Sequence, residues 1–359
     1  MRIKDIAVSA PGRICLLGEH QDYFRLPVIA AAINLRLHIT GLATPEHNFK
    51  IDLPDIDGFE TIDCETEVTY TKKRDYLKSV FNVLRREGVS FGHGWDCVVK
   101  STIPINSGTS SSSALVVAWV KFLLEATSKG DTVAPYDIAE LAFKAEVAEF
   151  NEPGGKMDHV TSALGGIVNI HFDEEPRVFL FKKPLKKFVL ADSLVKKDTT
   201  RTLARIKKNV QDGVNLLQKR IKRFHLKANI GEQERQEIER LPEVNRLAVE
   251  GTLKTRDLVA QGEQLFRAEE FDHVRFGHLL NDQQNVLRDY LGVSSPILDQ
   301  MIATSLEKGA LGAKINGSGE GGCIFAYCPE NAREVAAALE ALGANAYIIQ
   351  IDDGVKCES

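Results

Sequence analysis

"PINSGTSSSSALVVAWV", from Pro104 to Val120, sets four consecutive serines between a glycine-containing turn and an apolar run. Gly108 allows a tight turn, and the run after the serines has the composition of a helix. A loop that leads into a helix N-terminus directs backbone N–H groups and the positive end of the helix dipole toward one point. The stretch therefore predicts either an anion site or a helix N-cap with more hydroxyls than a cap needs. The GxxxxGK[ST] phosphate-loop pattern is absent.

The bulk composition favours a small-molecule partner. The chain has 359 residues, with 45 Lys plus Arg against 50 Asp plus Glu, so it offers neither a nucleic-acid footprint nor attraction to anionic membranes. Its apolar stretches are too short to span a bilayer, and the N-terminus lacks a signal-peptide pattern. Six scattered cysteines without CxxC pairs argue against a zinc site and a disulfide framework. We expect a soluble, cytoplasmic protein without a membrane partner.

The chain divides by pattern into two predicted domains, residues 1–186 and 187–359. Short β-branched runs and helical periodicities alternate in the first, with helices predicted over 112–126 and 136–150. Long charged amphipathic patterns follow over 200–226 and 233–290. The tail returns to strand signals, because "GAKINGSGEGGCIFAYC" reads as a glycine-rich hairpin, and a helix ending at Gly343 and a strand follow it. The glycines of that hairpin fit either close approach to a ligand or β-bulges.

Two further segments carry candidate polar groups. In "APGRICLLGEHQDYFRLPVIAAAI", Arg13, Glu19, His20 and Asp22 crowd within ten residues beside apolar stretches. Converging donors and acceptors suit a hydroxyl-rich ligand, although a surface turn with an ion pair is the simpler alternative. In "NEPGGKMDHVTSALGG", Asp158 follows a Pro-Gly-Gly turn. It is placed either to cap a helix or to point a carboxylate into a cleft.

In this order the elements resemble the GHMP small-molecule kinases, the family of galactokinase, homoserine kinase, mevalonate kinase and phosphomevalonate kinase. The matching motifs are "PGR…GEH.DY", "P…SG.SSSSA" and "GAK..GSG.GG", and together they extend over nearly the whole chain. The resemblance implies a two-domain α+β architecture. Its N-terminal domain would be ribosomal-protein-S5-like, its C-terminal domain ferredoxin-like with added helices, and its active site would lie in the cleft between them.

The resemblance also implies roles for residues. Asp158 would orient the substrate hydroxyl and accept its proton, with Arg13 keeping the carboxylate ionised. Glu19, His20 and Asp22 would bind sugar hydroxyls. Ser112 and Glu146 would hold Mg²⁺. The nucleotide loop would comprise Asn106, Ser107, Gly108, Thr109, Ser110, Ser111, Ser112 and Ser113, closed by Gly317, Gly319 and Gly321. Phosphoryl transfer mainly needs such positioning and charge compensation.

"GEHQDY" looks most like the galactokinase signature, so the leading hypothesis is an ATP- and Mg²⁺-dependent kinase for the C1 hydroxyl of galactose or a related sugar. Departures leave the substrate open, since galactokinases usually have Asn at Cys15, and Lys156 and His159 replace an apolar residue and Gln. Lys156 is either a surface lysine or, facing the site, a determinant for a carboxylated sugar. Alternatives are a kinase for a uronic acid, arabinose or mevalonate, and a catalytically silent sugar sensor. A monomer or homodimer is expected.

Overall fold

The computed structural model describes residues 5–105, 107–127, 129, 132–174 and 176–358. The predicted nucleotide contact Asn106 lies outside the described residues. None of the helices in the described ranges is long and apolar enough to cross a membrane.

A mixed sheet forms the centre of the first half of the molecule. Its strands in the described chain are β1 (Asp5–Leu17), β2 (Val28–Thr44), β3 (Asn48–Leu53), β4 (Gly58–Asp63), β5 (Gly94–Ser101), β6 (Ile167–His171), β7 (Arg177–Phe181) and β12 (Lys356–Cys357). Their order is β12-β1-β2-β5-β3-β4, and β6 joins β2 to β7. The pairing of β3 with β5 is parallel, whereas the other neighbours run antiparallel.

Four helices of the described chain cover this sheet, two of them in direct contact with β1 and β2 and the other two packed mainly against those helices. They are α1 (Tyr76–Arg86), α2 (Ser111–Ala126), α3 (Pro135–Phe143) and α4 (Met157–Leu164). The rings of Phe49, Trp119 and Phe122 pack in one cluster at centroid distances of 5.4 and 5.7 Å. Helix α2, which carries the serine run, is almost entirely buried after its first turn because its sequence is apolar on all sides.

The helix predicted over 136–150 differs from the observed structure at its end. Helix α3 stops at Phe143 and continues as one π-helical turn, Lys144–Ala148, in which Glu149 N donates to Lys144 O. A π-turn has the composition of an ordinary helix, so the sequence pattern does not reveal it. Such turns are frequent at functional sites, and this one carries Glu146.

The second half builds a smaller antiparallel sheet with the order β11-β8-β10-β9. Its strands are β8 (Phe188–Asp192), β9 (Gly312–Ile315), β10 (Cys323–Tyr327) and β11 (Asn345–Ile349). The helices are α5 (Thr199–Gln218), α6 (Glu232–Glu239), α7 (Glu243–Arg267), α8 (His273–Asp289), α9 (Pro296–Glu307) and α10 (Ala332–Ala341). Strands β9 and β10 pair antiparallel, which confirms the predicted glycine-rich hairpin.

The two halves share an apolar core. Leu17 and Ile29 from the larger sheet pack in one buried cluster with Phe188 and Phe325 from the smaller sheet. The end of the chain also returns to the larger sheet, since β12 pairs with β1. This continuous core fixes the two halves around the cleft between them. The division at residues 186 and 187 stays a prediction.

Candidate functional site

The three motifs meet at one cleft because their backbones touch. Cys323 N, at the start of β10, donates to Ser107 O at 2.7 Å, and Arg13 N on β1 donates to Thr109 O at 3.2 Å. Gly108 has a φ of 97°, and a Cβ atom there would lie 2.6 Å from the Asn316 carbonyl oxygen. Only glycine therefore lets the serine loop and the glycine-rich loop cross.

Arg13 and Asp158 form a two-pronged ion pair in the cleft. Arg13 Nε donates to Asp158 Oδ1 at 2.7 Å and Nη2 donates to Oδ2 at 2.9 Å, while Nη1 donates to Gly108 O at 2.6 Å. Burial alone would raise the pKa of the Asp158 carboxyl, but the Arg13 guanidinium outweighs burial and holds that pKa below its ordinary value. Asp158 is thus an ionised, fixed acceptor at the start of α4.

Asp22 lies on the same side of the cleft as Asp158 and is held by backbone donors. Tyr23 N donates to Oδ1 at 2.9 Å and Met157 N donates to Oδ2 at 3.3 Å. A Cβ atom at Gly155 would strike the Asp22 carboxylate, so that glycine permits the approach. Burial raises the pKa of Asp22 to about 6, and the negative charge of Asp158 adds to the rise.

His20 is fixed through both ring nitrogens. Nδ1 lies 2.9 Å from the Tyr23 hydroxyl, and Nε2 lies 3.3 Å from the Ser318 carbonyl oxygen. A carbonyl only accepts, so we assign the proton to Nε2, and Nδ1 then accepts from Tyr23. Burial lowers the pKa of His20 to about 4, so the ring is neutral. A sugar contact at either nitrogen would replace one of these hydrogen bonds.

Glu19 forms a buried ion pair with Lys314. Lys314 Nζ donates to Glu19 Oε1 and also to the carbonyl oxygens of Cys15 and Ile315, at 3.0 and 2.8 Å. The second oxygen, Oε2, is buried and has no partner within the described ranges, and Glu19 lines the cavity. Glu19 therefore offers one carboxylate oxygen to a ligand. The sequence analysis missed Lys314, although the third motif contains it.

The serine loop divides into bracing and lining residues. Ser107 and Thr109 are buried, and their hydroxyl oxygens lie 2.9 Å apart and 2.8 and 3.2 Å from Pro104 O, so the two hydroxyl protons are shared among these three contacts. Gly108 lines the cavity together with the four consecutive serines, Ser110, Ser111, Ser112 and Ser113. The first turn of α2 thus faces the cavity, as an anion site requires.

Of the three glycines predicted in the third motif, one lines the cavity and two do not. Gly317 lines the cavity. Gly319 and Gly321 instead pack against other backbone of the C-terminal half. A Cβ atom at Gly321 would lie 2.6 Å from Val195 O, and a Cβ atom at Gly319 would strike Val293 O. These two glycines shape the loop that carries Gly317.

Lys197 is a lining cation that the sequence analysis missed. It lies between β8 and α5, and its ammonium is buried beside Gly108 and Gly322 without a hydrogen-bond partner among the described residues. Burial lowers the pKa of Lys197 to about 8. A buried, unpaired ammonium is costly, which indicates that an anionic ligand completes this site. No periodicity or motif marks this lysine among its charged neighbours in the sequence.

Glu146 and Ser112 line the same cavity and offer hard oxygen ligands. Glu146 Oε2 lies at hydrogen-bond distance from His159 Nε2, 2.7 Å away. The described residues contain no cluster of three His, Cys, Asp or Glu side chains able to hold a metal ion. Mg²⁺ commonly takes one or two protein oxygens and completes its shell with substrate phosphates and water, so this pair fits a nucleotide-bound Mg²⁺.

Lys156 does not line this cavity, although the surface hollow that it lines shares Asp22 and Gly155 with the cavity. Its ammonium donates to both oxygens of Glu140, at 2.8 and 2.6 Å, and lies 5.1 Å from the centre of the Phe143 ring. It lines a neighbouring surface hollow instead.

Three family models match separate parts of the chain. The galactokinase galactose-binding signature matches residues 2–41, the GHMP kinases N terminal domain matches residues 75–166, and the GHMP kinases C terminal model matches residues 264–345. Together they include all three motifs that line the cavity.

Curated relatives and solved structures agree with this result. Mevalonate kinase of Thermococcus onnurineus is 28% identical over 367 residues, covering 98% of each chain. Galactokinase of Mannheimia succiniciproducens is 26% identical, covering 93% of this chain and 88% of its own. The structure of Lactococcus lactis galactokinase complexed with galactose aligns with a TM-score of 0.83 at 20% identity, covering 98% and 95% of the chains. The structure of the Methanococcus jannaschii mevalonate kinase aligns with a TM-score of 0.74 at 18% identity, covering 98% of this chain and 100% of its own. The predicted two-domain α+β fold is confirmed.

Proposed function

Because this chain belongs to the GHMP kinases, which are phosphotransferases, we propose that it phosphorylates the C1 hydroxyl of galactose or a closely related neutral sugar with ATP. The observation that carries the proposal is the negative charge of the acceptor end, by which we mean the part of the cavity lined by Glu19, Asp22 and Asp158. Asp22, Asp158 and Glu19 present carboxylate oxygens there, and such oxygens accept hydrogen bonds from sugar hydroxyls.

The cations of the cavity leave little to attract a carboxylated acceptor. Three Lys or Arg side chains line the cavity in the described chain. Arg13 is paired with Asp158, and Arg74 is paired with Glu152 at 2.5 Å. Lys197 has no partner among the residues that the structure describes, but it lies against the crossing of the two nucleotide loops. A substrate carboxylate would therefore meet carboxylates and neutralised cations, which disfavours a uronic acid or mevalonate.

The phosphate end, which is the part of the cavity lined by the serine run and Lys197, has the groups that bind the phosphates of ATP. The first turn of α2 supplies backbone N–H groups and the positive end of its dipole, and Lys197 supplies a full positive charge. Mg²⁺ held by Glu146 and Ser112 would compensate further negative charge on the transferring phosphoryl group.

Asp158 is the acceptor of the substrate proton in this proposal. The C1 oxygen forms a bond to the γ-phosphorus, the bond from that phosphorus to the β–γ bridging oxygen breaks, and ADP leaves. The hydroxyl proton passes to Asp158, whose carboxylate Arg13 keeps ionised and aligned. The pair Arg13–Asp158 and the presence of Glu146 and Ser112 speak against a catalytically silent sugar sensor.

A mevalonate kinase is the second candidate, because mevalonate kinases of Thermococcus and Pyrococcus are among the relatives at 27 to 28% identity. The test is an ADP-release assay with galactose, arabinose, fucose, glucuronate, galacturonate and mevalonate, and ³¹P NMR of the product.

We expect kcat/KM for a neutral sugar to exceed that for each carboxylated acceptor at least about 100-fold, since like charges in a site cost several kcal/mol. The phosphorus signal should be that of an anomeric phosphate. Preference for mevalonate or a uronate would contradict the proposal, and no turnover with any acceptor would favour the sensor. Asp158→Asn serves as the control for contaminating kinases.

A further inference from the structure

His159 directly follows Asp158 on α4, yet its side chain turns to a different partner. Its Nε2 lies 2.7 Å from Glu146 Oε2, and the two side chains are only 2% and 8% exposed. The proposed chemistry gives His159 no contact with substrate or nucleotide. Its contact is with the carboxylate that we assign to Mg²⁺.

The other ring nitrogen settles the direction of this hydrogen bond. His159 Nδ1 is buried without a hydrogen-bond partner among the described residues. A proton there would be an unpaired buried donor, whereas a lone pair costs less. We therefore assign the proton to Nε2, which donates to Glu146 Oε2 and leaves Oε1 for another ligand.

Packing fixes the ring as well as the hydrogen bond. The rings of His159 and Phe143 form a T-shaped pair at a centroid distance of 5.7 Å and an interplanar angle of 88°. Phe143 is the last residue of α3, and the π-turn that follows carries Glu146. The hydrogen bond thus joins the first turn of α4 to the π-turn across a buried contact.

We propose that His159 is a positioning residue for the cation site, holding Glu146 in the orientation in which it binds the nucleotide's Mg²⁺. This inference rests on the proposed function, which assigns Mg²⁺ to Glu146. A ligating carboxylate without its outer partner can rotate away from the metal, and such partners are worth about 10- to 100-fold in metal affinity or activity. Two consecutive residues of α4 would then have separate roles, because Asp158 accepts the proton and His159 orients the metal ligand Glu146.

Mn²⁺ binding in the presence of the non-hydrolysable analogue AMP-PNP tests this role without turnover. Electron paramagnetic resonance of free Mn²⁺ gives the dissociation constant for each variant. His159→Leu fills a similar volume without a donor, and we expect it to weaken Mn²⁺ binding about 10- to 100-fold. His159→Gln keeps an N–H donor of similar reach, and we expect an affinity within about threefold of the unchanged protein.

Equal Mn²⁺ affinity in His159→Leu and the unchanged protein would overturn the proposal, as would an equal loss in both variants. The Tm of the nucleotide-free protein shows whether a variant is folded, and His159→Asn, whose amide is shorter, replaces His159→Leu if that variant is unstable. In a Glu146→Gln background, His159→Leu should have no further effect on Mn²⁺ affinity, and a retained loss would also overturn the proposal.

Glu146→Gln alone separates the two levels of the argument. If it leaves Mn²⁺ affinity unchanged, the assignment of Glu146 in the proposed function fails. If it weakens Mn²⁺ binding while His159→Leu does not, only the role of His159 fails.

Discussion

The two ends of the cavity are built in opposite ways. At the acceptor end, the protein itself holds the polar groups: His20 bonds at both nitrogens, Asp22 accepts two backbone N–H groups, and Asp158 is clamped by Arg13. At the phosphate end, the Lys197 ammonium is buried beside Gly108 in the loop that leads into α2, and it has no partner in the part of the chain that the structure describes. The first end is organised before the ligand arrives, whereas the second becomes complete only with an anion.

This difference fits the demands of the two ligands. A sugar is distinguished by the positions of its hydroxyls, so its acceptors must be fixed in advance. Phosphate groups carry several negative charges. Hydrogen-bond donors and cations that have no partner in the free protein contribute the most binding free energy when such an anion pairs with them. We therefore expect changes at the two ends to alter different kinetic constants, and the following experiments test this separation.

The largest effect is expected at the acceptor end, from Asp158→Asn. Asparagine keeps the shape but cannot accept the hydroxyl proton, and it loses the ion pair with Arg13. We expect kcat to fall about 10²- to 10⁴-fold, the range for a general base, while AMP-PNP affinity measured by calorimetry stays within about threefold. Unchanged kcat would remove Asp158 from proton transfer, and lost nucleotide affinity would erase the distinction between the ends.

Lys197→Met tests the phosphate end. Removal of a cation that bonds an anionic phosphate should lower kcat/KM for ATP about 10- to 100-fold and leave the KM for the sugar nearly unchanged. Because the pKa of Lys197 is about 8 in the free protein, kcat/KM for ATP should also decline as pH rises through 8, and Lys197→Met should lack that limb.

Lys196→Met is the matched control, since this neighbouring lysine is exposed and does not line the cavity. An equal loss in both lysine variants would indicate general attraction of ATP by local charge. A rise in sugar KM in Lys197→Met alone would move Lys197 to the acceptor end.

Asp22 gives a smaller effect with a characteristic pH dependence. Its ionised form accepts hydroxyls, and burial raises its pKa to about 6, so protonation removes the acceptor as pH falls through 6. We expect kcat/KM for the sugar to decline below pH 6, and Asp22→Asn to raise the sugar KM about tenfold and flatten that limb. The Asp158 pKa is lowered, so Asp158 does not account for a limb at this pH. A persistent limb in Asp22→Asn would assign it to another group.

The sequence predicts the elements of this fold better than the pairs that complete its site. The serine-led helix α2 and the β9–β10 hairpin follow from apolar runs and turn residues close together in the chain. The approach of Arg13 to Asp158 joins residues 145 apart and came only through the family resemblance. The Glu19–Lys314 pair and the unpaired Lys197 were missed, because burial and partnership depend on tertiary packing rather than on local pattern.

Lys156 gives the smallest expected effect and tests whether the acceptor end excludes carboxylates. Both oxygens of Glu140 hold its ammonium, and Lys156 does not line the cavity. Lys156→Met should therefore leave kcat/KM within about twofold for every acceptor, since a partly exposed pair contributes only about 0–1 kcal/mol. Glu140→Gln frees the lysine and is the matched control. A selective loss of turnover with galacturonate in Lys156→Met would show that Lys156 reaches the acceptor, and the preference for neutral sugars would then lack its electrostatic cause.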